Sequence, residues 1–299
     1  MICDTYHVPV MLREAVDGLN VRPGGVYVDV TFGGGGHSRE LLRRMSGGGR
    51  LFSFDQDADA ARNAEGFGGG GVEFTFVQSN FRYLRNWMRY YGVDRIDGLI
   101  ADLGVSSHHF DDEGRGFSFR FDAPLDMRMN RRGGRTAADV VNTVSERELL
   151  DMLRIYGEVR QPQRVARAIV RAREGGVIGT TGQLAEAAGV DKKALARVVQ
   201  ALRIEVNGEM EALEEMLLSA QDLLSEGGRL VVLTYHSLED RIVKNVMRSG
   251  NVRGELSCDV FGNVSCTLRA LGKATVQTLE EQESNPRSRS AKMRVAERR

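Results

Sequence analysis

The chain of 299 residues lacks the apolar length that a membrane helix requires: no hydrophobic run approaches the eighteen or so residues needed to cross a bilayer. It also lacks net charge. Lysine plus arginine number 41, as do aspartate plus glutamate, so the global electrostatic balance names no partner. Cysteine is scarce: Cys3, Cys258 and Cys266 show no C-x-x-C spacing, and three thiols cannot all pair within one chain. That argues for reduced thiols in a cytoplasmic protein. The start, Met-Ile-Cys-Asp-Thr-Tyr-His, has no basic segment followed by an apolar one, so no signal peptide is expected. With 41% hydrophobic residues, the chain can bury one large core or two smaller ones.

What is present begins with glycine. Asp29-Val-Thr-Phe-Gly33-Gly34-Gly35-Gly36-His37-Ser38 follows the apolar run Val26–Val30 and precedes a helical pattern; the next apolar run, from Leu51, ends on Asp55. Strand, glycine loop, helix, strand and terminal acid form a nucleoside-binding arrangement. Glycines let the backbone approach the ligand, and the acid accepts ribose hydroxyls. A flexible connector is the plain alternative, and the placement of Asp29 and Asp55 around the loop weighs against it. The third glycine of a dinucleotide fingerprint is also missing: Gly33-x-Gly35 is followed there by Ser38, and Gly34-x-Gly36 by Arg39. The acid-x-x-x-G-x-G form suits S-adenosylmethionine, which has no pyrophosphate to place at a helix N-terminus. On this motif alone a dehydrogenase is the runner-up.

The first hundred residues alternate strand and helix. Val26–Val30, Leu51–Phe54, Glu73–Val77 and Ile96–Asp102 read as strands, with helical patterns near Ser38–Met45, Ala58–Asn63 and Tyr83–Tyr90. Such alternation predicts a parallel sheet with crossover helices. The glycines from Gly66 to Gly71 read as a connector, since no helix follows them. From Gly104 to Thr136 no period is sustained, which marks either a functional loop or a misjudged element; the interleaved arginines and phenylalanines favour the loop. Helices follow: Ser145-x-x-Glu148 and Thr180-x-x-Gln183 are capping boxes, Pro162 suits a first helical turn, and Asp191 opens a further helix. Met210 to Leu224 carries a long amphipathic stripe read as core. Gly228–Thr234 is a buried strand, and Ala291, Met293 and Val295 alternate with Lys292 and Arg294 as a half-exposed one. The expected architecture is α/β, interrupted by an all-helical insertion: residues 1–110 and 212–299 form one domain, 111–211 the other.

Charge is uneven locally. Arg115, Arg120, Arg128, Arg131, Arg132 and Arg135 crowd the long loop, and Arg287, Arg289, Lys292, Arg294, Arg298 and Arg299 crowd the tail. Arg164, Arg167 and Arg171 fall in one narrow stripe of a helix. Each group is either a solvated face or a set of phosphate contacts. Phe110, Phe117, Phe119 and Phe121, interleaved with Arg115 and Arg120, either stack on bases or pack the loop. A metal site from His108, His109, Asp111 and Asp112 is not expected, because adjacent histidines in an extended segment point apart.

Several motifs together resemble one family. They are His7-Val-Pro-Val, Thr31-Phe-Gly-Gly-Gly-Gly-His37-Ser, Asp97-Gly-Leu-Ile-Ala-Asp102-Leu-Gly-Val-Ser-Ser107, Asp111-Asp-Glu-Gly-Arg-Gly-Phe-Ser-Phe119 and Pro124-Leu-Asp-Met-Arg-Met129. Ala201-Leu-Arg-Ile-Glu-Val-Asn207, Tyr235-His-Ser-Leu-Glu-Asp-Arg-Ile-Val-Lys244 and Asn285-Pro-Arg-Ser-Arg-Ser-Ala-Lys292 complete the set. In this order they resemble the bacterial 16S ribosomal RNA cytosine-N4 methyltransferases, the RsmH (MraW) family. The resemblance implies a class I, Rossmann-like S-adenosylmethionine-dependent fold with an inserted helical domain that helps engage RNA. It also implies methylation of the exocyclic N4 of a decoding-centre cytosine in 16S rRNA of the small ribosomal subunit. By position, cofactor contacts fall on Gly35, Gly36, His37, Asp55, Phe81, Asp102 and His109. The chain departs from the family pattern at Gly34, where arginine is common, at His108-His109 in place of proline-glutamine, and at Tyr235 in place of phenylalanine.

The chemistry needs an acceptor for the amino hydrogens of the target base, whose nitrogen lone pair is delocalised into the ring. Asp102, or a carbonyl within Leu103–Val105, belongs at the carboxyl end of the fourth strand, where such an acceptor sits; the alternative for Asp102 is a cap on the following turn. The acid-or-asparagine followed by Pro-Pro-aromatic, found in many amino-methyltransferases, is absent. His236 ends the fifth strand at the same rim, where it either orients the base or packs as an ordinary histidine. Arg115, Arg120, Arg164, Arg167 and Arg171 are the candidate RNA contacts. No metal is expected, and the sequence fixes no oligomeric state.

Overall fold

A computed structural model of the chain describes residues 9–45, 47–105, 112, 114–258 and 266–299. It divides into two compact units, Met1–Gly104 with Met210–Arg299, and Val105–Glu209.

The first unit is built on one sheet. Strands β1 (Val26–Asp29), β2 (Arg50–Asp55), β3 (Glu73–Gln78), β4 (Ile96–Asp102) and β5 (Leu224–Thr234) are all parallel. Three more, β6 (Leu268–Ala270), β7 (Thr275–Val276) and β8 (Lys292–Arg298), complete it. The order is β3-β2-β1-β4-β5-β8-β6, with β8 antiparallel to β5 and β6. Side chains alternate between two cores, as the period of two demands. Val28, Phe52, Leu99 and Val232 face one side; Tyr27, Leu51, Ile100 and Val231 face the other. The first side is covered by helix α4 (Leu84–Tyr90) through Leu84 and Met88, and by the Met210–Leu223 stripe. The second is covered by α1 (Leu12–Leu19) and α2 (Gly36–Arg44). Helix α3 (Ala58–Asn63) follows β2 and is capped by Asp57.

The strand order reverses at β1, whose neighbours β2 and β4 lie on opposite sides. A reversal of this kind opens a crevice at the carboxyl ends of the strands. The glycine loop follows β1, Asp55 ends β2 and Asp102 ends β4, so the sequence motifs gather at that edge.

The second unit contains α5 (Ala137–Thr143), α6 (Glu146–Ile155), α7 (Pro162–Gly175), α8 (Thr181–Ala188) and α9 (Lys192–Asn207). The expected capping boxes form at Ser145/Glu148 and Thr180/Gln183, Pro162 opens α7, and Asp191 caps α9. Leu103 to Thr136 holds no helix or strand among the described residues. It is nonetheless anchored: Ala123, Leu125, Met127 and Met129 are buried alternately with Pro124, Asp126 and Arg128. Asn207 accepts the Met129 N–H at 2.8 Å and donates to the Met127 carbonyl at 2.9 Å. Helix α10 (Glu209–Leu223) then leads into β5, and α11 (Ser237–Ser249) and α12 (Leu279–Ser284) belong to the first unit.

The largest departure from the sequence reading of the strands is β5, which begins at Leu224 rather than Gly228. Its register against β4 shifts between Ile96 and Gly98, and Gly227 with φ 73° sits in that irregular stretch. A left-handed glycine inside a strand accommodates a bulge that interrupts the apolar pattern.

Candidate active site

The glycine loop is shaped by packing as much as by any ligand. Gly33 (φ 52°) and Gly35 (φ 77°) adopt left-handed conformations that side chains disfavour. A Cβ on Gly35 would lie 2.8 Å from the Phe67 ring, and one on Gly36 would lie 2.0 Å from Pro9. At Gly33 an added Cβ would meet nothing within 4 Å, so the outer face of the bend is open.

Asp55 fixes this bend from the next strand. Its Oδ2 accepts the Gly33 N–H at 2.8 Å and its Oδ1 accepts the Asp57 N–H at 2.9 Å. Two backbone donors thereby set the plane of the carboxylate. Beside it, Gln56 accepts from the Asn80 amide at 3.0 Å, tying the end of β2 to the turn that starts at Phe81. Phe81 opens a short 3₁₀ turn and packs, partly buried, against the sheet core.

Asp29 is fully buried, and its carboxyl is raised from the ordinary value by burial, against the opposing influence of His37 and of the Ser38 hydrogen bond. Ser38 Oγ donates to Asp29 Oδ2 at 2.6 Å and lies 2.8 Å from Ser53 Oγ. Thr31 N–H donates to Asp29 Oδ1 at 3.0 Å. Ser38 therefore occupies the place of a third glycine because its hydroxyl satisfies the acid buried beneath the loop. An unpaired carboxylate there would be costly.

Asp102 stands at the crevice with its side chain about one-fifth exposed (22%). Its N–H donates to Thr31 Oγ1 at 2.7 Å, and Tyr235 Oη donates to its Oδ1 at 2.6 Å. His37 Nδ1 is 3.9 Å from Oδ2. Burial raises the Asp102 carboxyl; His37 and the Tyr235 bond oppose this, while Asp29 and Glu239 reinforce it. His37 itself is buried, with Nε2 3.2 Å from the Val10 carbonyl, so it buttresses Asp102 from behind.

Two of the candidate residues take structural roles. His236 is the N-cap of α11: its Nδ1 accepts the Glu239 N–H at 3.4 Å, while Nε2 lies 3.2 Å from Glu239 Oε1, out of hydrogen-bonding alignment. A histidine committed to a capping box is not placed to orient a base. Arg115 is 1% exposed, and its guanidinium donates to the carbonyls of Arg128 and Met129 at 3.0 and 3.1 Å. It staples the long loop and cannot reach a phosphate. Phe117 is likewise core, whereas Phe121 is half exposed. His109, with His108, Phe110 and Asp111, lies outside the described residues.

The other basic candidates are at the surface of the second unit. Arg120, Arg164, Arg167 and Arg171 are exposed. Arg167 pairs with Glu146 at 3.1 Å, and Arg164 makes long contacts to Gln161 at 3.4 Å and to the Gly189 carbonyl at 3.5 Å. The sequence reading missed Thr31, Ser38 and Glu239. The first two carried a signal, being hydroxyls that flank the glycines.

The arrangement fits a nucleoside cofactor. An open, left-handed glycine bend lies beside a carboxylate whose orientation is set by backbone donors, and a second carboxylate stands across the strand reversal. A model of the MraW methylase family matches residues 4–299. The chain is 57% identical over 300 residues to a protein of Bacteroides thetaiotaomicron named ribosomal RNA small subunit methyltransferase H, covering 98% of this chain and 97% of that one. The protein of the same name from Parabacteroides distasonis is 58% identical over 300 residues, with the same coverages. That from Cytophaga hutchinsonii is 50% identical over 299 residues, covering 98% and 99%.

Proposed function

The chain belongs to the MraW methylase family and is an S-adenosylmethionine-dependent methyltransferase; from that premise we propose that it methylates the exocyclic N4 of a decoding-centre cytosine in 16S rRNA of the small ribosomal subunit. The observation that carries the reading is the meeting of the glycine bend, Asp55 and Asp102 at the carboxyl edge of a parallel sheet. The family name and the names of its relatives support the rRNA substrate.

When bound, S-adenosylmethionine supplies a methyl group on a positively charged sulfur. Asp55 would hold the ribose hydroxyls, and the glycine bend would let backbone approach the nucleoside. Gly35, Gly36, His37 and Phe81 shape the walls. Asp102 would accept an amino hydrogen, and that favours a pyramidal nitrogen with an available lone pair. Alignment supplies most of the acceleration in such a transfer. A strong general base is not demanded, because the methylated ammonium is acidic and loses its proton to water. The target base must leave its stack to reach the site. Arg120, Arg164, Arg167 and Arg171 are the proposed phosphate contacts of the second unit. An enzyme that modifies ribosomal RNA would work in the cytoplasm. No helix among the described residues is long and apolar enough to cross a membrane.

The test supplies tritiated S-adenosylmethionine with small subunits from a strain lacking the enzyme, then identifies the labelled nucleoside. N4-methylated cytidine in 16S rRNA is expected. Subunits that stay unlabelled, or label on a different nucleoside, would contradict the proposal.

A further inference from the structure

Tyr235 follows β5, the strand beside the one that Asp102 ends, and is committed at both ends. Its N–H donates to Glu239 Oε2 at 2.9 Å, and its hydroxyl donates to Asp102 Oδ1 at 2.6 Å. Asp102 is therefore held by its backbone N–H on Thr31 and by one carboxylate oxygen on Tyr235. The other oxygen, Oδ2, faces His37 at 3.9 Å. We propose that Tyr235 is a positioning residue of the methyl-transfer site: its hydroxyl locks the Asp102 carboxylate in one orientation at the carboxyl edge of the sheet, where it accepts an amino hydrogen of the target base.

The electrostatics favour this division of labour. The groups facing Asp102 are His37 from α2, Asp29 from β1, Glu239 from α11 and Tyr235 itself; Glu281 of α12 acts on Tyr235. Burial and the two acids push the Asp102 carboxyl upward. The tyrosine hydrogen bond is one of two influences that lower it, the other being His37. Burial and the Asp102 charge hold the Tyr235 phenol well above its ordinary value, so it stays a donor through the neutral range. A short bond from a neutral donor to a carboxylate is among the stronger hydrogen bonds a protein makes.

The inference rests on the reading of Asp102 as the amino-hydrogen acceptor, and the test separates the two. Tyr235→Phe and Asp102→Ala are assayed in the full chain with small subunits across the acidic to mildly alkaline range. Removing the donor raises the Asp102 pKa, so for Tyr235→Phe the acid limb of kcat should move to higher pH. At neutral pH kcat should fall about tenfold, as the loss of one hydrogen bond to a charged group implies, while KM for S-adenosylmethionine changes much less. A profile that superimposes on wild type, or a loss equal at every pH, would overturn the role of Tyr235. If Asp102→Ala keeps wild-type kcat, the Asp102 reading itself fails, whatever Tyr235→Phe does. Site-specific 3-fluorotyrosine at position 235 gives a second arm that keeps the fold. Its stronger donor should move the acid limb to lower pH, and an unmoved limb would count against the proposal.

Discussion

Asp55→Ala perturbs the cofactor site at its firmest point. The wild-type carboxylate is oriented by the Gly33 and Asp57 N–H groups, at 2.8 and 2.9 Å. A hydrogen bond to a charged group contributes about 1.5–3 kcal/mol. Losing the ribose contacts should therefore weaken S-adenosylhomocysteine binding by about 2 kcal/mol or more, roughly thirtyfold in Kd. The same substitution frees the Gly33 N–H, so part of the loss belongs to a looser bend. Calorimetric titration measures the total, and the thermal midpoint without ligand reports the bend. Asp55→Asn retains one acceptor oxygen without the charge, and its Kd should fall between wild type and Asp55→Ala. An Asp55→Ala protein that binds S-adenosylhomocysteine as tightly as wild type would refute the assignment, because no other carboxylate ends β2.

Gly36→Ala should disrupt the N-terminal segment, since the new Cβ would meet Pro9 at 2.0 Å; overpacking of this kind costs about 1–3 kcal/mol, readable as a lowered thermal midpoint. Asp29 gives a pH signature. Its carboxyl is raised in the folded state, so its bound proton contributes stability that is fully present below the ordinary carboxylate pKa and is lost as pH rises through the folded value. Asp29→Asn should remove that component, leaving a thermal midpoint that falls less with rising pH than wild type does; identical slopes would contradict it. Changing Arg164, Arg167 and Arg171 together to Ala should weaken RNA association and flatten its salt dependence. An unaltered slope would return the stripe to an ordinary solvated face.

The parallel sheet was legible because its strands are apolar runs of ordinary length separated by helical periods, and Ile96–Asp102 matches the sequence expectation residue for residue. The neighbourhood of Asp55, Asp102 and the glycines was legible because each terminates a strand or joins one to a helix. Side-chain commitments were not. His236 reads in the sequence as a rim histidine that orients a base or packs, since His is not a favoured helix cap. The fold instead uses His236 with Glu239, and Asp240 turns to Arg294 at 2.6 Å. Arg115 looked like a phosphate ligand because a loop without period gives no sign of burial, whereas its carbonyl partners Arg128 and Met129 lie thirteen and fourteen residues away. The alternation of Leu125, Met127 and Met129 was the available clue that this loop has an inner face.

The central claim is that a sulfonium nucleoside lies across the carboxyl edge of the sheet, between the glycine bend and Asp55. A crystal structure of the complex with S-adenosylhomocysteine tests it most directly. Both ribose hydroxyls should lie within hydrogen-bonding distance of the Asp55 carboxylate, with the amino-acid end of the ligand towards Asp102. Ligand bound elsewhere, or a crevice filled by protein side chains in the presence of saturating ligand, would contradict it.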